Sequence, residues 1–137
     1  MPIDTLDHYS VRTADVEKTR SFYEDAIGLR TGPRPDFPFP GAWMYAGEHA
    51  VVHIIGIDPT DSSGLVDYLG ARGNDEDTGA LDHVAFAASD FEAMRKHFAA
   101  RRIDFRERNV PGLNLRQIFV VDPNGVTIEL NFRVPVE

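Results

Sequence analysis

Residues 6–17, LDHYSVRTADVE, and residues 81–92, LDHVAFAASDFE, align without a gap at an offset of 75 (81 − 6). Leu6, Asp7, His8, Asp15 and Glu17 recur as Leu81, Asp82, His83, Asp90 and Glu92. A shared triplet followed in one register by the same helix-start chemistry marks a duplicated structural unit. The chain must therefore build two copies of one module.

Each copy opens as a strand. By alternation His8, Ser10 and Arg12 share one face and Tyr9 and Val11 the other, while His83 and Ala85 lie opposite Val84 and Phe86. Each strand runs into a helix. Thr13 is the expected N-cap of the first, with Asp15 in its first turn. Ser89 and Glu92 form the expected capping box of the second. Val16, Phe22, Tyr23, Ala26 and Ile27 make the buried stripe of the first helix, and Gly28 suits the residue just past its end. Phe91, Met94 and Phe98 do the same for the second. Three further strands follow each helix, near 29–33, 42–46 and 50–56, and near 103–108, 115–122 and 125–132. Asp122-Pro123-Asn124-Gly125 is a strong hairpin turn.

The expected class is α+β, one domain over 1–137 made of two tandem βαβββ modules, 1–56 and 81–137. The intervening 57–80 is rich in Asp, Gly and Ser and reads as a linker with one helical turn at Leu65–Leu69. Residues 31–41, TGPRPDFPFPG, carry four prolines and form no regular element. Phe37 and Phe39 in that loop suit a lid over an apolar pocket, where they would touch substrate.

Charge narrows the function. Lys and Arg total 14 against 22 Asp and Glu, a net −8, without the basic stripe a nucleic-acid site needs. The same balance disfavours an anionic membrane surface. No stretch approaches the roughly 18 apolar residues of a membrane helix, and the N-terminus lacks a signal-peptide pattern. The expected setting is cytoplasmic. With no cysteine, thiolate chemistry and Cys-based zinc sites are excluded.

Of five histidines, His49 falls in a turn and His97 mid-helix among charged residues, and both read as solvated. The other three lie in strands. His8 and His83 are repeat equivalents. His53 in VVHII matches Glu129 in VTIEL at an offset of 76 (129 − 53). A carboxylate flanked by Ile128 and Leu130 needs a partner, because an unpaired buried charge is costly. A divalent ion satisfies it together with neutral imidazoles. His8, His53, His83 and Glu129 are therefore the candidate ligands, suited to Zn, Ni, Fe, Mn or Co. Four ligands leave open positions on an octahedral ion, as a catalytic site requires.

The tandem βαβββ pattern, FYEDAIGL at Phe22–Leu29 and DPNGVTIEL at Asp122–Leu130 resemble the vicinal oxygen chelate superfamily, also called the glyoxalase / bleomycin resistance / extradiol dioxygenase superfamily. The resemblance covers nearly the whole chain. It implies a curved, cup-shaped mixed sheet with helices outside, a metal on the cup floor and a homodimer. His8, His83 and Glu129 match its common two-His-one-Glu set, and His53 stands where glyoxalase I-like members often place a fourth ligand, frequently Glu. Arg12 matches an arginine that contacts glutathione in those members. Ile57 replaces an Asn common there, which argues against glutathione. Phe119 occupies a position that is usually Tyr in dioxygenases and thiol transferases, and Gln117 on the same face is a further candidate substrate contact.

The leading expectation is a glyoxalase-like lyase or isomerase on a small substrate chelated through adjacent oxygens. Glu129, the sole carboxylate of the set, would be the base. An Fe(II)-dependent extradiol-type dioxygenase using a His8, His83, Glu129 triad is the alternative. A non-catalytic small-molecule or antibiotic-binding (resistance) protein is the third.

Overall fold

The computed structural model describes residues 4–58, 63–69, 78–79, 81–110 and 113–133. The chain divides into two compact units, Met1–Asp75 and Glu76–Glu137. Each holds one four-stranded mixed sheet, so the class is α+β.

In the first unit, β1 is Tyr9–Thr13, α1 Val16–Ser21, β2 Arg30–Gly32, β3 Gly41–Ala46, β4 His49–Gly56 and α2 Ser63–Leu69. The strand order is β1-β4-β3-β2, with β1 parallel to β4 and the other pairs antiparallel. In the second unit, β5 is His83–Ala88, α3 Phe91–Ala100, β6 Arg106–Val110, β7 Leu115–Val121 and β8 Thr127–Arg133. Its order, β5-β8-β7-β6, repeats the first with the same directions. The repeat thus extends to strand order and direction, not only to twelve aligned residues.

Alternation decides which residues enter each core. Val11, Met44, Val52 and Ile54 are buried in the first unit, with Tyr23 and Ala26 from the segment after α1. Tyr23 has no exposed surface and its hydroxyl accepts from Tyr9 Oη at 3.1 Å, so its burial leaves no polar group bare. In the second unit Ile118, Val120, Ile128 and Leu130 are buried, with Phe91 and Phe98 from α3. Among the described residues, no helix is long and apolar enough to cross a membrane.

Both helix starts differ from expectation. Asp15, not Thr13, caps α1 by accepting from Lys18 N at 3.0 Å. Thr13 is still the last residue of β1; its hydroxyl accepts from Asp15 N at 3.1 Å and from the buried Thr19 at 3.2 Å. Asp90, not Ser89, caps α3, accepting from Ala93 N at 3.2 Å with a left-handed φ of 63°. β5 runs through Ala88, so the chain needs both following residues to turn. Glu92 consequently pairs with Arg95 instead of closing a capping box. After α1 the chain widens into a π-helical stretch, Phe22–Ile27, before Gly28 ends it at φ 88°.

The β7–β8 turn forms as its sequence requires. Asp122 Oδ1 accepts from Asn124 N and Val126 N, each at 2.8 Å, and Gly125 takes φ 88°. Strand β6 lies later than expected, at Arg106–Val110, and most of the expected linker falls outside the described residues.

Candidate functional site

The strand registers place the candidate ligands. On the first sheet, Ser10 pairs with His53 and Trp43 pairs with His53, so the three share a face. His8 is two residues before Ser10, just ahead of β1. On the second sheet, Ala85 and Phe119 both pair with Glu129, and His83 is two residues before Ala85. His8/His53 and His83/Glu129 are therefore equivalent pairs. The extra residue in the 76 offset is absorbed before the last two strands, because Trp43 and Phe119 also differ by 76 (119 − 43).

Within the first unit, the His8 and His53 rings stack at 3.6 Å between centroids and 14° between planes. Trp43 continues the stack against His53 at 4.0 Å and 10°. His8 Nδ1 lies 2.6 Å from Asp7 Oδ2, and that hydrogen bond holds the Asp7 carboxyl below its ordinary pKa. With Nδ1–H committed to a carboxylate, Nε2 carries the lone pair. Burial, reinforced by the neighbouring His8 imidazole, lowers the His53 pKa and favours its neutral, ligating form.

The second unit repeats the device. His83 Nδ1 lies 2.7 Å from Asp82 Oδ1, and its Nε2 lies 3.6 Å from Glu129 Oε1. Glu129 is buried. Its Oε2 accepts from Asn131 Nδ2 at 2.9 Å, Asn131 Oδ1 accepts from Gln117 Nε2 at 2.9 Å, and Gln117 Oε1 accepts from Arg108 Nε at 2.8 Å. A continuous relay thus runs from a guanidinium to the carboxylate across β6, β7 and β8. Gln117 is buried within it.

Imidazole and carboxylate are donor types that can hold a divalent ion, and they come two to a unit. Each unit offers an imidazole whose Nδ1 is braced by the preceding aspartate, beside a second donor from the unit's last strand. Among the described residues, no group of three or more His, Asp or Glu gathers at ion-holding distance.

The other expected contacts fall as follows. Phe37 and Phe39 stack at 5.3 Å and 4°, and Phe37 lies 6.1 Å from Trp43. With His8, Ser10, Arg34, Trp43 and His53 they line a cavity of about 250 Å³. Phe119 is buried beneath two guanidinium groups, Arg106 at 4.5 Å and Arg108 at 5.2 Å from the ring centre. Arg12 is half-buried on β1, paired with Ile55 and on the face of Ser10. His49 is no bystander: exposed at the start of β4, its Nε2 lies 2.7 Å from the Asp7 carbonyl oxygen, steadying the residue that braces His8.

Sequence reasoning missed Asp7 and Asp82 as bracing groups, although both sit in the repeated LDH. It also missed Asn131, two residues past Glu129 on the same strand face, and Trp43, the chain's one tryptophan. Arg34 and Arg108 carried no comparable signal, since Arg108 reaches its place through strand pairing and Arg34 through the loop that follows β2.

The Glyoxalase/Bleomycin resistance protein/Dioxygenase superfamily model matches residues 5–130. The chain belongs to this superfamily. "Glyoxylase I 4" of Arabidopsis thaliana is 24% identical over 131 residues, 93% of this chain and 70% of that protein. Glyoxalase I of Saccharomyces cerevisiae is 25% identical over 146 residues, 94% of this chain but only 45% of the yeast protein. The fold is also that of a Bacillus anthracis protein ascribed to the glyoxalase family, at a TM-score of 0.71, 22% identity and 96% of each chain.

Proposed function

We propose that the chain is a metal-dependent, glyoxalase-like lyase or isomerase acting on a small substrate with adjacent oxygens. The observation that carries this reading is the duplicated Asp–His pair, Asp7–His8 and Asp82–His83, each set beside a last-strand donor. A structural duplication need not preserve two braced imidazoles. A ligand set must, because the carboxylate fixes tautomer and ring orientation.

His8, His53, His83 and Glu129 would hold the ion, within one chain or between the halves of a homodimer. Bound there, a divalent ion supplies Lewis acidity toward the substrate's two oxygens. The residues do the rest. Glu129 would have to give up its place in the ligand set, at least partly, to accept the proton from the carbon beside the carbonyl through Oε1, while Asn131 retains Oε2 and so fixes the carboxylate's orientation. The same carboxylate returns the proton to the former carbonyl carbon, and the substrate's hydroxyl proton passes to the former carbonyl oxygen beside it, which makes the net change an isomerisation. Burial of Glu129, cross-strand from Phe119 on the same sheet face, keeps bulk water from competing for the proton it carries.

Metal content of the purified protein, and its thermal stability with added Ni, Zn, Mn or Fe, test the reading. Binding to the folded state alone must raise stability. Turnover of a methylglyoxal–thiol adduct that disappears in Glu129→Gln would support it. Stability indifferent to all four ions would overturn it in favour of a ligand-binding module. Metal-dependent oxygen uptake on catechols would favour the dioxygenase.

A further inference from the structure

The two units diverge at matched positions on one sheet face. In the second, Arg108 pairs with Gln117, and Gln117 with Asn131. The equivalents in the first are Gly41 and Ile55, which also pair, and both offsets are 76 (117 − 41 and 131 − 55). The pairing of Gly32 with Trp43, matched to Arg106 with Phe119, makes Arg34 the counterpart of Arg108 at an offset of 74 (108 − 34). Arg108 therefore finds a side-chain amide oxygen, whereas Arg34 faces a glycine. A Cβ at Gly41 would sit 2.2 Å from the Ile54 carbonyl oxygen and 3.1 Å from Arg34 Nη2, so nothing larger fits there.

Arg34 is instead held in place by uncharged groups, with the Asp36 carboxylate two residues on acting on its charge through space. Its Nη2 donates to the Phe39 carbonyl oxygen at 2.8 Å, and its guanidinium lies 5.0 Å from the Phe37 ring centre and 5.3 Å from that of Phe39. It opens on the cavity that His8, His53, Trp43, Phe37 and Phe39 surround. We infer that this cavity binds a small planar, conjugated carboxylate, its ring among the aromatic walls and its anion on Arg34.

Three properties of the cavity select that chemistry. Five of its lining side chains are rings, His8, Phe37, Phe39, Trp43 and His53, and they favour a flat π-system over a puckered ring of equal size. Its cation is a planar fork suited to a carboxylate's two oxygens. Its volume of about 250 Å³ is below the range typical of drug-sized ligands, so it has room for one ring with its substituents and not for a peptide conjugate. The chain's net charge of −8 repels anions at long range, so recognition depends on this local cation. The inference rests on the proposed function in taking His8 and His53 as the reactive wall, but binding itself requires no ion.

Trp43 is the only tryptophan, so its emission reports this cavity alone. Metal-free full-length protein would be titrated with benzoate, benzamide and cyclohexanecarboxylate. Benzoate should half-saturate at a concentration at least about tenfold below either of the others, the factor equivalent to one good interaction. Arg34→Gln should bring benzoate to the level of benzamide, and Arg34→Lys should keep part of the preference. Equal half-saturation by the three probes would overturn the inference, as would an unchanged benzoate preference in Arg34→Gln. Should Arg34→Gln fail to fold, the lysine variant decides, since a preference there equal to the parent's overturns the fork's role. Benzoate selectivity in a protein that binds no metal would overturn the metal-dependent reading alone. Normal metal binding without the selectivity would overturn this inference alone.

Discussion

Asn131 donates to Glu129 Oε2 at 2.9 Å and is itself held by Gln117, so the buried carboxylate is fixed from one side by uncharged amides. His83 lies on the other side, 3.6 Å from Oε1. One oxygen is committed to structure and the other is left for chemistry.

That division makes Asn131→Leu informative. The substitution strips Glu129 Oε2 of its donor and Gln117 Nε2 of its acceptor, both in buried residues. Unsatisfied buried groups cost about 1–3 kcal/mol each. Urea unfolding should show a loss of about that size, and kcat should fall with little change in KM because the base is displaced. A change confined to KM would place Asn131 in substrate binding instead.

Glu129→Gln separates charge from shape. The amide oxygen can keep the bond from Asn131, so folding stability should change little. Loss of the base should lower kcat by about 10²- to 10⁴-fold, the usual worth of a positioned general base. Metal affinity, read by titration calorimetry, should fall as an anionic donor is lost. A variant with full turnover would remove Glu129 from the mechanism.

Asp7→Asn and Asp82→Asn test the bracing role. Each leaves the imidazole without the carboxylate that sets its tautomer. A loss of about 10- to 100-fold in metal affinity is expected for either, with both sheets intact by circular dichroism. If neither variant changes affinity, the repeated Asp–His pair is structural.

His53 sets a pH dependence. Burial and the neighbouring His8 hold its folded pKa below the ordinary 6.5. The unfolded chain then binds more protons than the folded one between those two values, so stability rises with pH through that window. The penalty is fully present below the folded pKa and gone above 6.5. Urea unfolding of metal-free protein from about pH 5 to pH 7 should show this rise, and His53→Gln should flatten it. An equal slope in both proteins would assign the effect elsewhere.

Much of the fold was legible because duplication writes itself into the chain. The repeated LDH, the helix stripes and the Asp122–Gly125 turn are local patterns, and each pointed to the correct element. The caps were displaced by one or two residues because strands β1 and β5 extend further than local propensity indicates. Pairing with β4 and β8 holds them extended, and that pairing is not local.

The amino-acid sequence by itself determined the two βαβββ units, the family, and the equivalence of His53 with Glu129, since periodicity and repetition need no third dimension. Only the tertiary structure decided that His8 stacks on His53 and that Trp43 extends the stack. Only it showed that Glu129 hangs on Asn131, Gln117 and Arg108, and that Arg34 takes the same place opposite a glycine. These relations depend on strand register, where a shift of one residue turns every side chain to the other face. Residues so brought together are far apart along the chain, and no spacing rule connects them.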